Sequence, residues 1–168
     1  MKTNDKVWYA CYGSNLKAKR FRSYIEGTVN EANGLPEKGC RDRSLWTDER
    51  IGTFKGQLYF AKRSSKWNNQ GVAFIDRDAD GTVIMRLYLI TWEQYLEIKN
   101  QEGPSYKHRV DLGFADDGYP IYSFTSPDRL PSNPPSGKYL DVIKNALIDE
   151  CGIPAETVKA YLDDALRN

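Results

Sequence analysis

The stretch VWYACYGSNL, residues 7–16, decides how this chain is read. Its first six residues are apolar or aromatic without alternation, the pattern of a strand covered on both faces. The run then breaks into Gly13, Ser14 and Asn15. A plain hairpin would explain the break. So would a strand that delivers a loop of backbone N–H groups to a ligand, because Gly13 permits a tight path and Ser14 and Asn15 favour local bonds and helix N-capping. The next segment, LKAKRFRSYIEG, predicts a short helix with Leu16, Phe21, Tyr24 and Ile25 apolar and Gly27 as its stop. A strand–loop–helix start of this kind is a natural cradle for a carboxylate or an oxyanion.

Outward from this stretch the chain alternates short elements. Residues 28–53 are polar and glycine-rich and read as loop; GQLYFAKRS, GVAFIDRD and TVIMRLYLI read as strands. TWEQYLEIKNQEG switches to helical spacing, with Thr91 able to cap its start and Gly103 to end it. YKHRVDLGF and YPIYSFTS suggest a hairpin across ADDGY, and PDRLPSNPPSG carries four prolines and reads as an irregular connection. The tail reads as two amphipathic helices split at Gly152–Pro154. With no repeat and no long linker, the order of elements indicates one α+β domain over residues 1–168.

Composition narrows the function classes. Apolar residues make up 40% and charged residues 28% of 168 residues, enough for a real core, and a formal net charge of +1 with scattered Lys and Arg gives no footprint for nucleic acid. No run approaches the length of a membrane helix, and MKTNDKVWYA lacks the apolar core of a signal peptide. Cys11, Cys40 and Cys151 are too few and too scattered for a disulfide framework or a zinc site. The expectation is a reduced, cytoplasmic protein with no nucleic-acid or membrane partner.

Three decoys lose to simpler readings. Asp76, Asp78, Asp80 and Gly81 have EF-hand spacing, but Leu87 stands where a bidentate Glu should close the shell, so Asp80-Gly81 reads as a hairpin turn. A nucleophile at Cys11 or Ser14 would need His108, the single histidine; YGSNL lacks the second glycine of a nucleophile elbow, and Cys11 reads as a small buried residue. The many aromatics follow strand and helix periods, which makes them core.

Glu102 is different. It closes a predicted helix just before Gly103. A carboxylate at a helix C-terminus meets a like-signed dipole, which raises its pKa and suits a general base that must hand its proton on.

Taken together, YGSNL after an apolar strand and Glu-Gly at the end of a helix resemble the γ-glutamylcyclotransferase (AIG2-like) family, in its bacterial branch. GVAFI, RLYLITWEQYLEIKNQEG and PPSGKYLDVIKNALIDECGIPAETVKAYL are similar to the family's central strands, glutamate-bearing helix and C-terminal segment. The resemblance implies a small mixed β-barrel with peripheral helices and no metal or organic cofactor. It makes Tyr12, Gly13, Ser14, Asn15 and Leu16 the glutamyl-binding loop, Glu102 the catalytic acid/base and Tyr106 a pocket residue. The implied reaction releases 5-oxoproline and a free amine from a γ-glutamyl amide. The polar stretches at 17–24 and 28–53 depart from the pattern, which leaves the leaving amine open. A non-catalytic domain that keeps the cradle, and a Cys/Ser hydrolase, are the alternatives.

Overall fold

Strand β5 (Thr82–Thr91) is the centre of the molecule, with every residue from Val83 to Ile90 buried. In the computed structural model, which describes residues 5–29 and 34–168, it lies between β1 (Lys6–Cys11) and β2 (Glu49–Lys55). The first four residues and part of the polar loop named above, residues 1–4 and 30–33, fall outside the described residues. β1 runs antiparallel to β5 from Lys6↔Thr91 to Cys11↔Arg86, and its other edge pairs parallel with β7 (Pro120–Thr125) at Trp8↔Ile121 and Tyr9↔Tyr122. β6 (His108–Phe114) completes a five-stranded mixed sheet in the order β2-β5-β1-β7-β6.

The hairpin β3 (Gln57–Ser64) and β4 (Gln70–Asp76) forms a second, two-stranded sheet. It is stitched to the first at both sides. The Gly56 N–H donates to Gly81 O at 3.1 Å, and the Ile75 N–H donates to Thr125 Oγ1 at 3.2 Å. The architecture is the expected α+β one, with the barrel wall made from two ladders. Asp80-Gly81 is a turn, but β4 and β5 do not pair with each other; the turn carries the chain from one sheet to the other, where a hairpin was expected. β2 also replaces the last part of the expected loop. As an edge strand it turns only Arg50, Gly52 and Phe54 inward and leaves Ile51 exposed, so it has no apolar alternation to read.

The helices follow their sequence signals. α1 (Ala18–Glu26) ends at Gly27, whose φ of 74° lies in the left-handed region. α2 (Trp92–Glu102) begins with a capping box, Gln94 N–H to Thr91 Oγ1 at 3.1 Å and Thr91 N–H to Gln94 Oε1 at 3.0 Å. α3 (Gly137–Asn145) runs into a π-helical turn, Ala146–Glu150, before the break at Gly152 and α4 (Ala155–Leu166). Among the described residues no helix is long and apolar enough to cross a membrane.

The proline-rich connection is seated on β4. The Gly71 N–H donates to Pro134 O at 2.9 Å, and a Cβ at Gly71 would lie 1.9 Å from Asn133 O. Gly71→Ala therefore forces this connection away, at a cost of about 1–3 kcal/mol. Urea denaturation measures it, and an unchanged midpoint would show that the connection is not held there.

Candidate active site

β1 ends in the Gly13–Ser14–Asn15 loop, and the reason for Gly13 is space rather than strain. Its φ is −109°, open to any residue, but a Cβ there would stand 3.0 Å from the Tyr139 hydroxyl and 3.3 Å from Ala73 Cβ. Tyr139, on α3, reaches under the loop and accepts the Ala73 N–H at 2.9 Å. Ser14–Leu16 forms one 3₁₀ turn, closed by the Leu16 N–H donating to Gly13 O at 3.0 Å.

This turn and the end of α2 meet over a cavity of about 30 Å³, lined by Tyr9, Tyr12, Gly13, Ser14, Asn15, Glu102, Tyr106, Ser123 and Tyr139 among others. Asn15 Nδ2 donates to Glu102 Oε1 at 2.9 Å and to the Tyr9 hydroxyl at 3.1 Å. Two residues 87 positions apart are thus locked together. Asn15 Oδ1 and Ser123 Oγ are buried beside the same cavity without a hydrogen-bond partner. Buried polar atoms of this kind are rarely left unpaired, so they are acceptors awaiting a ligand.

Each residue singled out in the sequence can now be placed. Tyr12, Gly13, Ser14, Asn15, Glu102 and Tyr106 converge on the cavity. Leu16 does not line it; its side chain is fully buried in the core, and it serves the site through its carbonyl, which accepts Arg86 Nη1 at 2.8 Å. The Tyr12 hydroxyl donates to Phe124 O and the Tyr106 hydroxyl to Ala73 O, both at 2.8 Å. Burial pushes both phenols well above their usual pKa, so they remain neutral donors. Cys11 faces Arg86 O with its thiol, and burial pushes that thiol up as well. His108 is exposed at the start of β6 and does not line the cavity, so no Cys–His or Ser–His pair forms.

The carboxyl of Glu102, the last residue of α2, is held above the ordinary carboxylate range, as expected, and burial is the first cause. Arg20 and Lys66 pull it back down, Glu37 pushes it up, and the Asn15 bond lowers it.

Arg20 is the residue the sequence reading passed over. It sits on the same helical row as Leu16 and Tyr24, an i, i+4 position that is a signal for burial. Its Nε donates to Ser14 Oγ at 2.7 Å, Nη2 to the Tyr24 hydroxyl at 2.8 Å and Nη1 to Glu37 Oε1 at 3.2 Å. Both members of the Arg20–Glu37 pair are almost fully buried. Glu37 lies in the polar region that carried no periodic signal at all.

No protein-family model matches the chain. Among curated proteins it is 27% identical, over an alignment of 205 residues, to histone deacetylase 5 of Arabidopsis thaliana; the match covers 95% of this chain and 31% of the plant protein. The chain thus spans about a third of the length of that relative. Among solved structures, a γ-glutamyl cyclotransferase superposes with a TM-score of 0.64 at 17% identity, covering 96% of this chain and 89% of the other. The fold is that of a γ-glutamyl cyclotransferase. The same cyclotransferase fold appears in an uncharacterised human protein, with a TM-score of 0.71, 19% identity and coverage of 97% and 90%, and in YkqA of Bacillus subtilis, with a TM-score of 0.60, 17% identity and coverage of 98% and 56%.

Replacing Arg20 by Met leaves buried Glu37 with the longer Lys66 contact, at 3.5 Å, as its remaining ion pair among the described residues, at a cost of up to about 3–5 kcal/mol. Arg20→Met with Glu37→Met recovers a large part of that loss. A thermal or denaturant series on the two variants measures the difference, and equal losses would show that the pair is not coupled.

Proposed function

We propose that the chain is a γ-glutamyl cyclotransferase that releases 5-oxoproline and a free amine from a γ-glutamyl amide. The observation that carries this reading is the 2.9 Å bond from Asn15 to Glu102 beside the cavity, which couples the loop to the one carboxylate that lines it among the described residues. In this reading the cavity takes the glutamyl end. Asn15 Oδ1 and Ser123 Oγ accept the substrate's α-ammonium, and the loop N–H groups hold its carboxylate or the developing oxyanion.

The reaction needs no external nucleophile. The α-amine and the γ-carbonyl carbon of a glutamyl group close a five-membered lactam, and holding them together supplies much of the rate. Glu102 takes a proton from the α-ammonium, whose ordinary pKa is about 8. The freed amine attacks the γ-carbonyl and the ring C–N bond forms. Glu102 returns its proton to the leaving nitrogen as the bond to that nitrogen breaks, then takes the second proton from the ring nitrogen and passes it to the departing amine, which leaves as an ammonium. A carboxyl lifted by burial is a stronger base toward the α-ammonium in the first half of this cycle than a solvated one. The described cysteines are free thiols, in keeping with a reducing, cytoplasmic setting.

Glu102→Gln is expected to abolish 5-oxoproline release while γ-glutamyl ligands still bind, and Cys11→Ala to retain turnover. Release from a panel of γ-glutamyl amides, followed by chromatography, checks both; turnover by the Gln variant would end the assigned mechanism. The pH profile gives a second check. Glu102 must be ionised to act as base, and its pKa is raised, so the acid limb of kcat/KM lies above the value of about 4.3 for a free glutamate. Lys66 favours the anion, so Lys66→Met moves that limb to higher pH. A limb that stays in place or moves down would contradict the assignment.

A further inference from the structure

The cavity beside Glu102 adjoins a wider vestibule of about 250 Å³ that shares Ser14, Glu102, Tyr106 and Tyr139 with it. Its outer wall is the KRSSKW segment, residues 62–67. Among the described residues, Arg20, Lys62, Arg63 and Lys66 line it against a single lining carboxylate, Glu102. Two of the four cations are already matched, since Arg20 and Lys66 both contact Glu37, at 3.2 and 3.5 Å. Lys62 and Arg63 are exposed and have no carboxylate partner among the described residues.

The backbone fixes this segment. Register slips between Ala61 and Ser64 on β3, and Lys62 has a φ of 69°, a left-handed conformation uncommon for a residue with a side chain. Its carbonyl accepts Asn133 Nδ2 at 2.8 Å, which holds the irregularity in place. A strained bulge that turns two unmatched cations to the mouth of a site is a specificity element by its placement.

We infer that the vestibule selects a leaving amine carrying two negative charges, a dicarboxylic amino acid or a phosphorylated amine, with Lys62 and Arg63 as the residues that recognise it. This rests on the cyclotransferase reading. The inner cavity is walled by the core residues Tyr9 and Phe124, so a bound glutamyl group leaves only the vestibule for the other side of the amide. Polyamine-like leaving groups are disfavoured there by like charge.

The test is an isosteric ladder of γ-glutamyl-asparaginamide, γ-glutamyl-asparagine and γ-glutamyl-aspartate, with γ-glutamyl-phosphoethanolamine and γ-glutamyl-putrescine as phosphate and cation arms. Turnover is measured on the wild type, and dissociation constants by calorimetry on Glu102→Gln. Each added negative charge should improve kcat/KM and affinity roughly three- to fivefold, less at high salt. The phosphate arm identifies which dianion is preferred. In the Lys62→Ala/Arg63→Ala protein the advantage of aspartate over asparaginamide should shrink to within about twofold. A flat or inverted ladder, a ladder that survives the double substitution, or no binding by any member overturns the inference. The two readings separate cleanly: binding that follows the ladder without 5-oxoproline defeats the cyclotransferase, and 5-oxoproline release without a ladder defeats the dianion selection.

Discussion

The candidate site depends on one guanidinium taken out of water. Arg20 offers its donors to Ser14, Tyr24 and Glu37, so a helix residue, the cradle loop and the polar region share one charged centre. A buried cation is tolerable only when its donors are matched and a counter-ion is close. That requirement fixes the Ser14 side chain and draws residue 37 against α1. The loop's shape is therefore imposed from behind, by a group that does not line the inner cavity.

The same arrangement sets the electrostatics at Glu102. Burial holds the carboxyl neutral to higher pH, while Arg20 and Lys66 favour its anion and Glu37 opposes them. Since Glu37 also contacts both cations, much of their charge is spent before it reaches Glu102. A lone pair of cations would hold the carboxylate ionised; a cavity without them would keep it protonated. Intermediate basicity follows from the counter-ion, a balance useful to a group that both takes and gives a proton.

Much of this was legible in the chain. β1, β5, α2 and the C-terminal helices carry strong periodic or continuous patterns, with stops at Gly27 and Gly103 and a cap at Thr91. Their tertiary partners reinforce what local propensity already favours. The loop and Glu102 were legible because Gly-Ser-Asn breaks a buried strand and because a carboxylate ends a helix. Edge strand β2 was not, since one half-buried face leaves no apolar alternation. Nor was the turn at Asp80-Gly81 readable as a sheet change, because turn chemistry specifies the bend and not the strand that follows it. Glu37 and Ser123 owe their roles to long-range packing alone. The burial of Glu102 has the same origin: a helix end is visible in sequence, and the depth of a cavity is not.

The pairing of β1 has a consequence for how the protein is made. The strand that leads into the cradle comes from the first dozen residues, yet its ladder partners are at 86–91 and 121–122. On a ribosome it emerges before either partner, as an apolar, aromatic segment with nothing to pair against until the strand at 82–91 has followed. The site's first element is thus among the last to be secured. Folding is committed late, and the exposed segment before that point is where a chaperone would find its purchase.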